Sequence, residues 1–346
     1  MFLLPPGIEK HRLTGGLTPE NFSVTVLSRS GRVAWELRKY TSRGVLVAQT
    51  DSSSVIAPDL DTAGRIEVVA SESGLGAELR GIDAAKIDDA AFAVLHRAWL
   101  DHQVVLLRGQ RLSDAALAAF SRRLGSLDHA PIQETGRRFV AGHPEIYVVS
   151  NIIGTDGNPI GSLGAGEAVW HTDMSYLPLP PKASILYAIE VPATGGDTWF
   201  SDMYAAHDAL PAELRQRISG RTLKHDATYN SGGYVRAGTT PTDDPRAAPG
   251  TSHPIVVTHP ETGRKALYLG RRRNAYVDGL TLPESEALLD ALWRCAAGKV
   301  WQHAWRVGDV VLWDNRCTMH RRDEFDAQAR RLLHRTQITG ETAPAA

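Results

Sequence analysis

Cysteine is scarce in this chain. Cys295 and Cys317 are the only two in 346 residues, too few for a disulfide framework and suited to a reducing, cytoplasmic compartment. No stretch approaches the roughly 18 consecutive apolar residues of a membrane span. The opening Met1-Phe2-Leu3-Leu4-Pro5-Pro6 breaks at two prolines and lacks the basic start and sustained apolar run of a signal peptide. An excess of charge is missing as well. Lys plus Arg number 38 against 39 for Asp plus Glu, a formal net charge of −1. That balance gives no global attraction to nucleic acid or a membrane, and there is no extended basic groove, so recognition has to be local. Internal repeats and low-complexity tracts are also missing. What remains is an ordinary apolar share of 42 %, enough for a sizeable core in one large domain or two small ones.

Residues 1–62 differ from the rest. Arg, Ser and Thr punctuate two short strand-like pieces, Ser23 to Leu27 and Val45 to Gln49, before Asp51-Ser52-Ser53-Ser54, and the segment reads as a loosely structured N-terminal extension. Residues 63–341 read as the functional domain. Ile66 to Val69 is a first strand, and Ala84 to Leu100 carries apolar residues at helical spacing. Val104 to Leu107 is a buried strand, followed by a helix that Ser113 caps. Further strands fall at Ile146 to Ser150, Ala183 to Val191, Thr198 to Phe200, Val310 to Trp313 and Arg331 to Ile338. Asn151 to Glu167 is a glycine-rich loop, and Asn230 to Pro254, rich in glycine and proline, is a lid or substrate-facing loop. Pro254 to Leu269 is a hairpin, and Thr281 with Glu284 forms a capping box for a helix to about Ala297. Many short strands with helices on one side and one end predict a mainly β jelly roll with helical cover.

Chemistry concentrates in Val169-Trp170-His171-Thr172-Asp173-Met174-Ser175-Tyr176. Read as a strand, it projects His171 and Asp173 from one face with α-carbons roughly 6.5 Å apart, close enough to share a metal. Of the 13 histidines, His171 alone has Asp two residues on. His143-Pro144-Glu145 and His259-Pro260-Glu261 carry proline between the two groups, which suits turns. A third ligand is expected from His320, after Trp313-Asp314-Asn315-Arg316. Two histidines and a carboxylate on one side of an ion, with the other positions open, suit non-haem Fe(II) and O2 chemistry. The same set also suits a zinc hydrolase or a metal-binding jelly roll without turnover. In the last strand Arg331 and Arg335 share a face. That face is either solvated or lines the barrel, where guanidinium forks would bind two anions. His102, at the mouth of the Val104 strand, reads first as a structural hydrogen-bonding residue.

Trp-His-Thr-Asp at 170–173, Gly-Gly-Asp-Thr at 195–198, Thr-His-Pro-Glu-Thr-Gly at 258–263, Trp-Asp-Asn-Arg at 313–316, His320, and Arg331 with Arg335 form an ordered set. The set resembles the taurine and 2,4-D dioxygenase (TauD/TfdA-like) family over about Arg65 to Gly340. Arg331 follows His320 by 331 − 320 = 11 positions, the interval of the family pattern. The resemblance implies a double-stranded β-helix of the clavaminate synthase-like type. It also implies a dioxygenase that uses Fe(II), 2-oxoglutarate and O2, and that hydroxylates a small organic anion while 2-oxoglutarate becomes succinate and CO2. By resemblance His171, Asp173 and His320 hold the iron, Thr198 and Arg331 bind the distal carboxylate of 2-oxoglutarate, and Arg335 with His102 faces the substrate anion. Gly164 to Val169 lack the polar run that taurine dioxygenase uses near its substrate, which leaves a sulfonate such as taurine and an aryloxyalkanoate such as 2,4-D both open. Homo-oligomerisation is compatible with this reading. Tyr229, Tyr234, Arg236 and Arg271-Arg272-Arg273-Asn274 read equally well as part of the site mouth or as exposed basic surface.

Overall fold

Val104-Val105-Leu106-Leu107 has no polar face, and both sides of the strand it forms are buried. Val104 and Leu106 point into an inner core with Tyr147, Phe200, Val311, Trp313 and Leu333. Val105 and Leu107 point the other way, into a core with Leu95, Trp99, Leu117, Phe120 and Ile185. Four such side chains contribute roughly 1.5–3 kcal/mol each, and their alternation sets the layers: helix, sheet, barrel interior.

The computed structural model of the protein describes residues 21–28, 31–38 and 66–346. The chain divides into two compact units, Met1–Ala63 and Gly64–Ala346. In the first, Asn21–Ser28 and Gly31–Arg38 pair as an antiparallel hairpin. The expected Ser23 to Leu27 strand lies within its first arm, and Val45 to Gln49 lies outside the described residues. The second arm was not anticipated, although Val33, Trp35 and Leu37 alternate along it.

The second unit is a jelly roll of two facing sheets. The larger has nine strands, running in space through Ser162–Leu163, His143–Ser150, Leu332–Ile338, Ala183–Glu190, Val310–Asp314, Val104–Leu107, Ala77–Arg80 and Glu67–Ala70, with Phe139–Val140 beside His143–Ser150. The smaller runs Ala168–His171, Thr318–Arg322, Thr198–Asp202 and Val300–His303. Helix Asp89–His102 is capped by the Asp88 carboxylate, and helix Asp114–Arg122 by Ser113. Both cover the outer face of the larger sheet. Helix Leu282–Ala296 has the Thr281/Glu284 capping box and packs behind the smaller sheet with Met203, Leu223 and Met319.

The last strand shows how the layers aim functional side chains. His334 Nδ1 lies 2.7 Å from Asp114 Oδ1, and Ser121 and Thr336 share a hydroxyl hydrogen bond of 2.7 Å. Those contacts turn the even-numbered residues toward helix Asp114–Arg122 and leave Arg331, Leu333 and Arg335 facing inward. Strands at Thr222–Asp226, Val300–His303 and Thr318–Arg322 were not foreseen, since each mixes polar residues into a short run. The 230–254 segment ends in strand Gly250–Pro254, paired with Thr222–Asp226, and Asn230 Oδ1 accepts from the amides of Gly232 and Tyr234.

Candidate active site

The expected strand through Val169 to Tyr176 is shorter: Ala168–His171 is extended, and Asp173 sits in the turn that follows, where Met174 has φ +46°. The two ligand side chains converge because the chain bends. The bend is pinned by the Thr172 amide, which donates to the Gly270 carbonyl (3.0 Å). Gly270 itself has φ +62°, and a Cβ there would overlap the His225 ring, so glycine is required. His320 arrives by sheet pairing, in register with His171, with ring centroids 4.1 Å apart.

His171 Nε2 lies 3.4 Å and His320 Nε2 3.7 Å from Asp173 Oδ1, so three donor atoms surround one point. Nδ1 of His171 donates to the Val169 carbonyl (2.8 Å), which leaves the Nε2 lone pair facing that point. The other oxygen of Asp173 is occupied by the Ser184 hydroxyl (2.7 Å) and by the Arg335 guanidinium. Ser184 in turn accepts from Asn315 Nδ2, whose Oδ1 accepts from Trp313 Nε1. Burial works against the Asp173 carboxylate, but Arg335, His320 and His171 outweigh it and hold the group well below the usual carboxylate range. Burial, then His171, drives the His320 imidazole well below its ordinary value, so it stays neutral with a lone pair available. The neutral His320 imidazole, the Nε2 of His171 and an ionised carboxylate, with room on one side, fit a divalent iron centre.

Ser184→Ala should weaken metal binding by about 10- to 100-fold, the usual cost of losing a hydrogen bond behind a ligating carboxylate. Titration of the variant with Fe(II) or Mn(II) would read this, and an unchanged affinity would show that Arg335 alone orients Asp173.

A second group, His259, Asp314 and Cys317, is also close-packed. The electron pairs of His259 and Asp314 are already used, and burial, then Asp314, push the Cys317 thiol well above its ordinary value, so it stays protonated. His259 Nδ1 accepts from the amides of Glu261 and Thr262, Nε2 lies 3.0 Å from Asp314 Oδ2, and Arg316 occupies the same carboxylate. It is an ion-pair network that ties the Thr258 to Gly263 turn to the strand ending at Asp314.

Arg331 is 2 % exposed, and its guanidinium has no hydrogen-bond or ion-pair partner among the described residues. Burial, and then Arg322, pull its pKa well below the ordinary value. Arg322 is buried too, with Nη2 on the carbonyls of Leu163 and Gly166. The two guanidinium carbons lie 5.3 Å (Arg322) and 5.7 Å (Arg331) from the Phe325 ring. Thr198 pairs in register with Arg322, and its hydroxyl accepts from Trp305 Nε1 (2.9 Å). Two buried cations without a carboxylate are costly on their own and suit a bound dicarboxylate. Arg322 and Trp305 were missed in the sequence, because an arginine beside the ligand His320 in Thr-Met-His-Arg-Arg looks like surface charge.

The expectation for His102 is corrected. It ends helix Asp89–His102 with Nδ1 3.3 Å from the Gly74 carbonyl, and it does not line the cleft beside His171. Its position before a buried strand makes it the hydrogen-bonding residue of the first reading. Arg335 does line that cleft, but its ion pair is with Asp173, so it is not given wholly to substrate. The basic residues that read two ways separate. Arg236 is buried and Arg271 half-buried in the cleft wall, whereas Arg272 pairs with Glu286 and Asp290 at the surface. Arg273 stacks over Tyr229.

Comparison with known proteins agrees with this geometry. Residues 67–337 match the family model described as "Taurine catabolism dioxygenase TauD, TfdA family". The chain is 34 % identical over 293 residues to an (S)-phenoxypropionate/alpha-ketoglutarate-dioxygenase of Delftia acidovorans, covering 80 % of this chain and 95 % of the relative. It is 36 % identical over 251 residues to an alpha-ketoglutarate-dependent 2,4-dichlorophenoxyacetate dioxygenase of Cupriavidus pinatubonensis, covering 70 % and 86 %. Among solved structures, a taurine dioxygenase from Burkholderia xenovorans superposes with a TM-score of 0.64 at 32 % identity, covering 80 % and 91 %. With a family match over most of its length and the His171, Asp173 and His320 donors converging between its two sheets, the chain belongs to the TauD/TfdA dioxygenase family.

Proposed function

We propose that the chain is an Fe(II)- and 2-oxoglutarate-dependent dioxygenase that hydroxylates a small organic anion. When bound, Fe(II) with 2-oxoglutarate and O2 would supply the oxidative chemistry, with succinate and CO2 formed as oxygen enters the substrate. His171, Asp173 and His320 hold the metal. Ser184 and Arg335 fix the second oxygen of Asp173, so that its first oxygen stays aimed at the ion. Arg331, with Thr198 beside Arg322, takes the distal carboxylate of 2-oxoglutarate and so sets the direction in which the co-substrate enters. The buried walls around Phe200, Trp313 and Leu333 keep water from this end of the barrel.

The observation that carries the reading is the unpartnered guanidinium of the buried Arg331 in the same barrel as three convergent metal donors. A zinc hydrolase or a metal-binding module without turnover has no use for that cation. The relatives named for phenoxypropionate, 2,4-dichlorophenoxyacetate and taurine support a small anionic substrate. We assign the chemistry to residues 63–341 and none of it to residues 1–62. Both cysteines are free, which suits a cytoplasmic enzyme. Among the described residues no helix is long and apolar enough to cross a membrane.

The test is succinate formation by the purified chain. It should require Fe(II), 2-oxoglutarate and O2 together and rise with a suitable organic anion. Hydrolysis without O2, or indifference to 2-oxoglutarate, would refute the proposal.

A further inference from the structure

Neither the metal site nor the 2-oxoglutarate site accounts for the positive charge on the outer wall of the cleft. The backbone of Arg271 bridges to that of His171, which plants its side chain beside the metal donors. The side chain is 10 % exposed. Its contacts are the carbonyl of Asp226 (3.2 Å) and the carboxylate of the same residue (3.3 Å), and Nε has no partner. That carboxylate is shared, since it also accepts from the amides of Thr228 and Tyr229. Arg236, from the long 230–254 segment, bonds only neutral oxygens, the Ile132 carbonyl and Gln133 Oε1 (both 3.0 Å), and its Nε too is unpartnered.

Three cations, Arg236, Arg271 and Arg335, line this cleft against two carboxylates, Asp173 and Asp226. One positive charge is left over. The distal carboxylate of 2-oxoglutarate is assigned to Arg331, outside this count, so a bound Fe(II) with the remaining C1 carboxylate would add to that surplus and not remove it. The facing imidazole of His225 does not change the sum, because burial, then His253 and Arg271, push it down to about 3. Arg236, Tyr176, Met174 and Pro131 also belong to a wider adjoining cleft. Its walls are largely apolar, built from Leu127, Ile132, Leu177, Ala227 and Ala237, with Asp128, His129 and Arg137 as its charged or titratable members besides Arg236.

Building on the proposed function, we infer that Arg271, with Arg236, receives the anionic end of the primary substrate, and that this substrate is an anion on an apolar body with no ammonium group. An aryloxyalkanoate and an alkyl sulfate share that chemistry. The apolar body lies in the outer cleft, and the carbon next to the anion lies toward His171 and Asp173. An aminosulfonate such as taurine would bring its ammonium within a few ångströms of two partly desolvated guanidinium groups. Repulsion in that setting corresponds to roughly a 100-fold loss of affinity.

The test uses the full chain with Fe(II) and 2-oxoglutarate, and phenoxyacetate, hexyl sulfate and taurine as probes. Substrate-stimulated succinate formation gives KM, and calorimetry under anaerobic conditions gives binding directly. Phenoxyacetate or hexyl sulfate should be preferred over taurine by about 100-fold, and the preferred probe identifies the anion. Arg271→Met should raise the KM for that probe by about 30- to 100-fold, and Arg271→Lys should recover part of it. The KM for 2-oxoglutarate should shift less than about two-fold, because that co-substrate is assigned to Arg331. Arg236→Met should give a smaller rise in the same direction, which keeps the inference open to refutation if Arg271→Met does not fold. A preference for taurine, or an unchanged KM in both methionine variants, overturns the inference. So does an enzyme that consumes 2-oxoglutarate but binds none of the three probes, and in that case the proposed function stands. A chain inert toward 2-oxoglutarate overturns both.

Discussion

His320→Ala is expected to reduce succinate formation by about 1000-fold or more at any Fe(II) concentration that leaves the enzyme soluble. His171 and Asp173 lie on one bent segment and could still hold an ion loosely, but only His320 fixes it from the opposite strand. The imidazole also packs against Trp313 and Phe200, with ring centroids 4.8 and 6.0 Å away. Its removal should therefore cost about 1–3 kcal/mol of stability, read by urea unfolding without metal. The two readouts separate the roles. A purely structural His320 would lose stability and keep Fe(II)-dependent turnover once folded, and turnover within ten-fold of the parent would refute the assignment.

Arg331→Met is expected to raise the KM for 2-oxoglutarate by about 100-fold, since a buried charge-assisted pair with a carboxylate is worth roughly 2–4 kcal/mol. The effect on the protein alone runs the other way. A lone guanidinium enclosed by Phe325, Arg322 and the Gly195-Gly196 turn carries an uncompensated desolvation cost. An apolar side chain of similar length should leave the ligand-free fold as stable or more stable, by about 1–3 kcal/mol. 2-Oxoglutarate at about ten times the parent's Kd should raise the melting temperature of the parent protein, as linkage requires, and leave that of Arg331→Met, with its roughly 100-fold weaker binding, nearly unchanged. A variant that is destabilised without ligand yet still responds to 2-oxoglutarate would show that Arg331 supports the fold and does not bind the co-substrate.

The strands legible in advance were those with a strong local signal. Val104–Leu107 is apolar at every position, and Ala183–Glu190 and Val310–Asp314 are nearly so, because a strand covered on both faces cannot afford polar side chains. Helix Leu282–Ala296 was legible from its capping box. Thr318–Arg322 was not, since Thr-Met-His-Arg-Arg has no apolar period, and its pairing comes from neighbours about 120 to 150 residues away in the chain. The turn at Asp173 was hidden for a similar reason. Met174 adopts a left-handed backbone that its residue type does not favour, held there by the contact between Thr172 and Gly270.

By itself the sequence determined which donors were available: one His-x-Asp pair, a later histidine, and two arginines on one face of the final strand. These follow from residue identity and spacing, which no packing can alter. Tertiary structure decided which side chains meet. It put His102 on a backbone carbonyl away from the cleft, engaged Arg335 with Asp173, buried Arg322 and Arg236, and half-buried Arg271 in the cleft wall. Whether an arginine faces water or a buried anion site depends on what covers it, and that cover comes from elements distant in the chain.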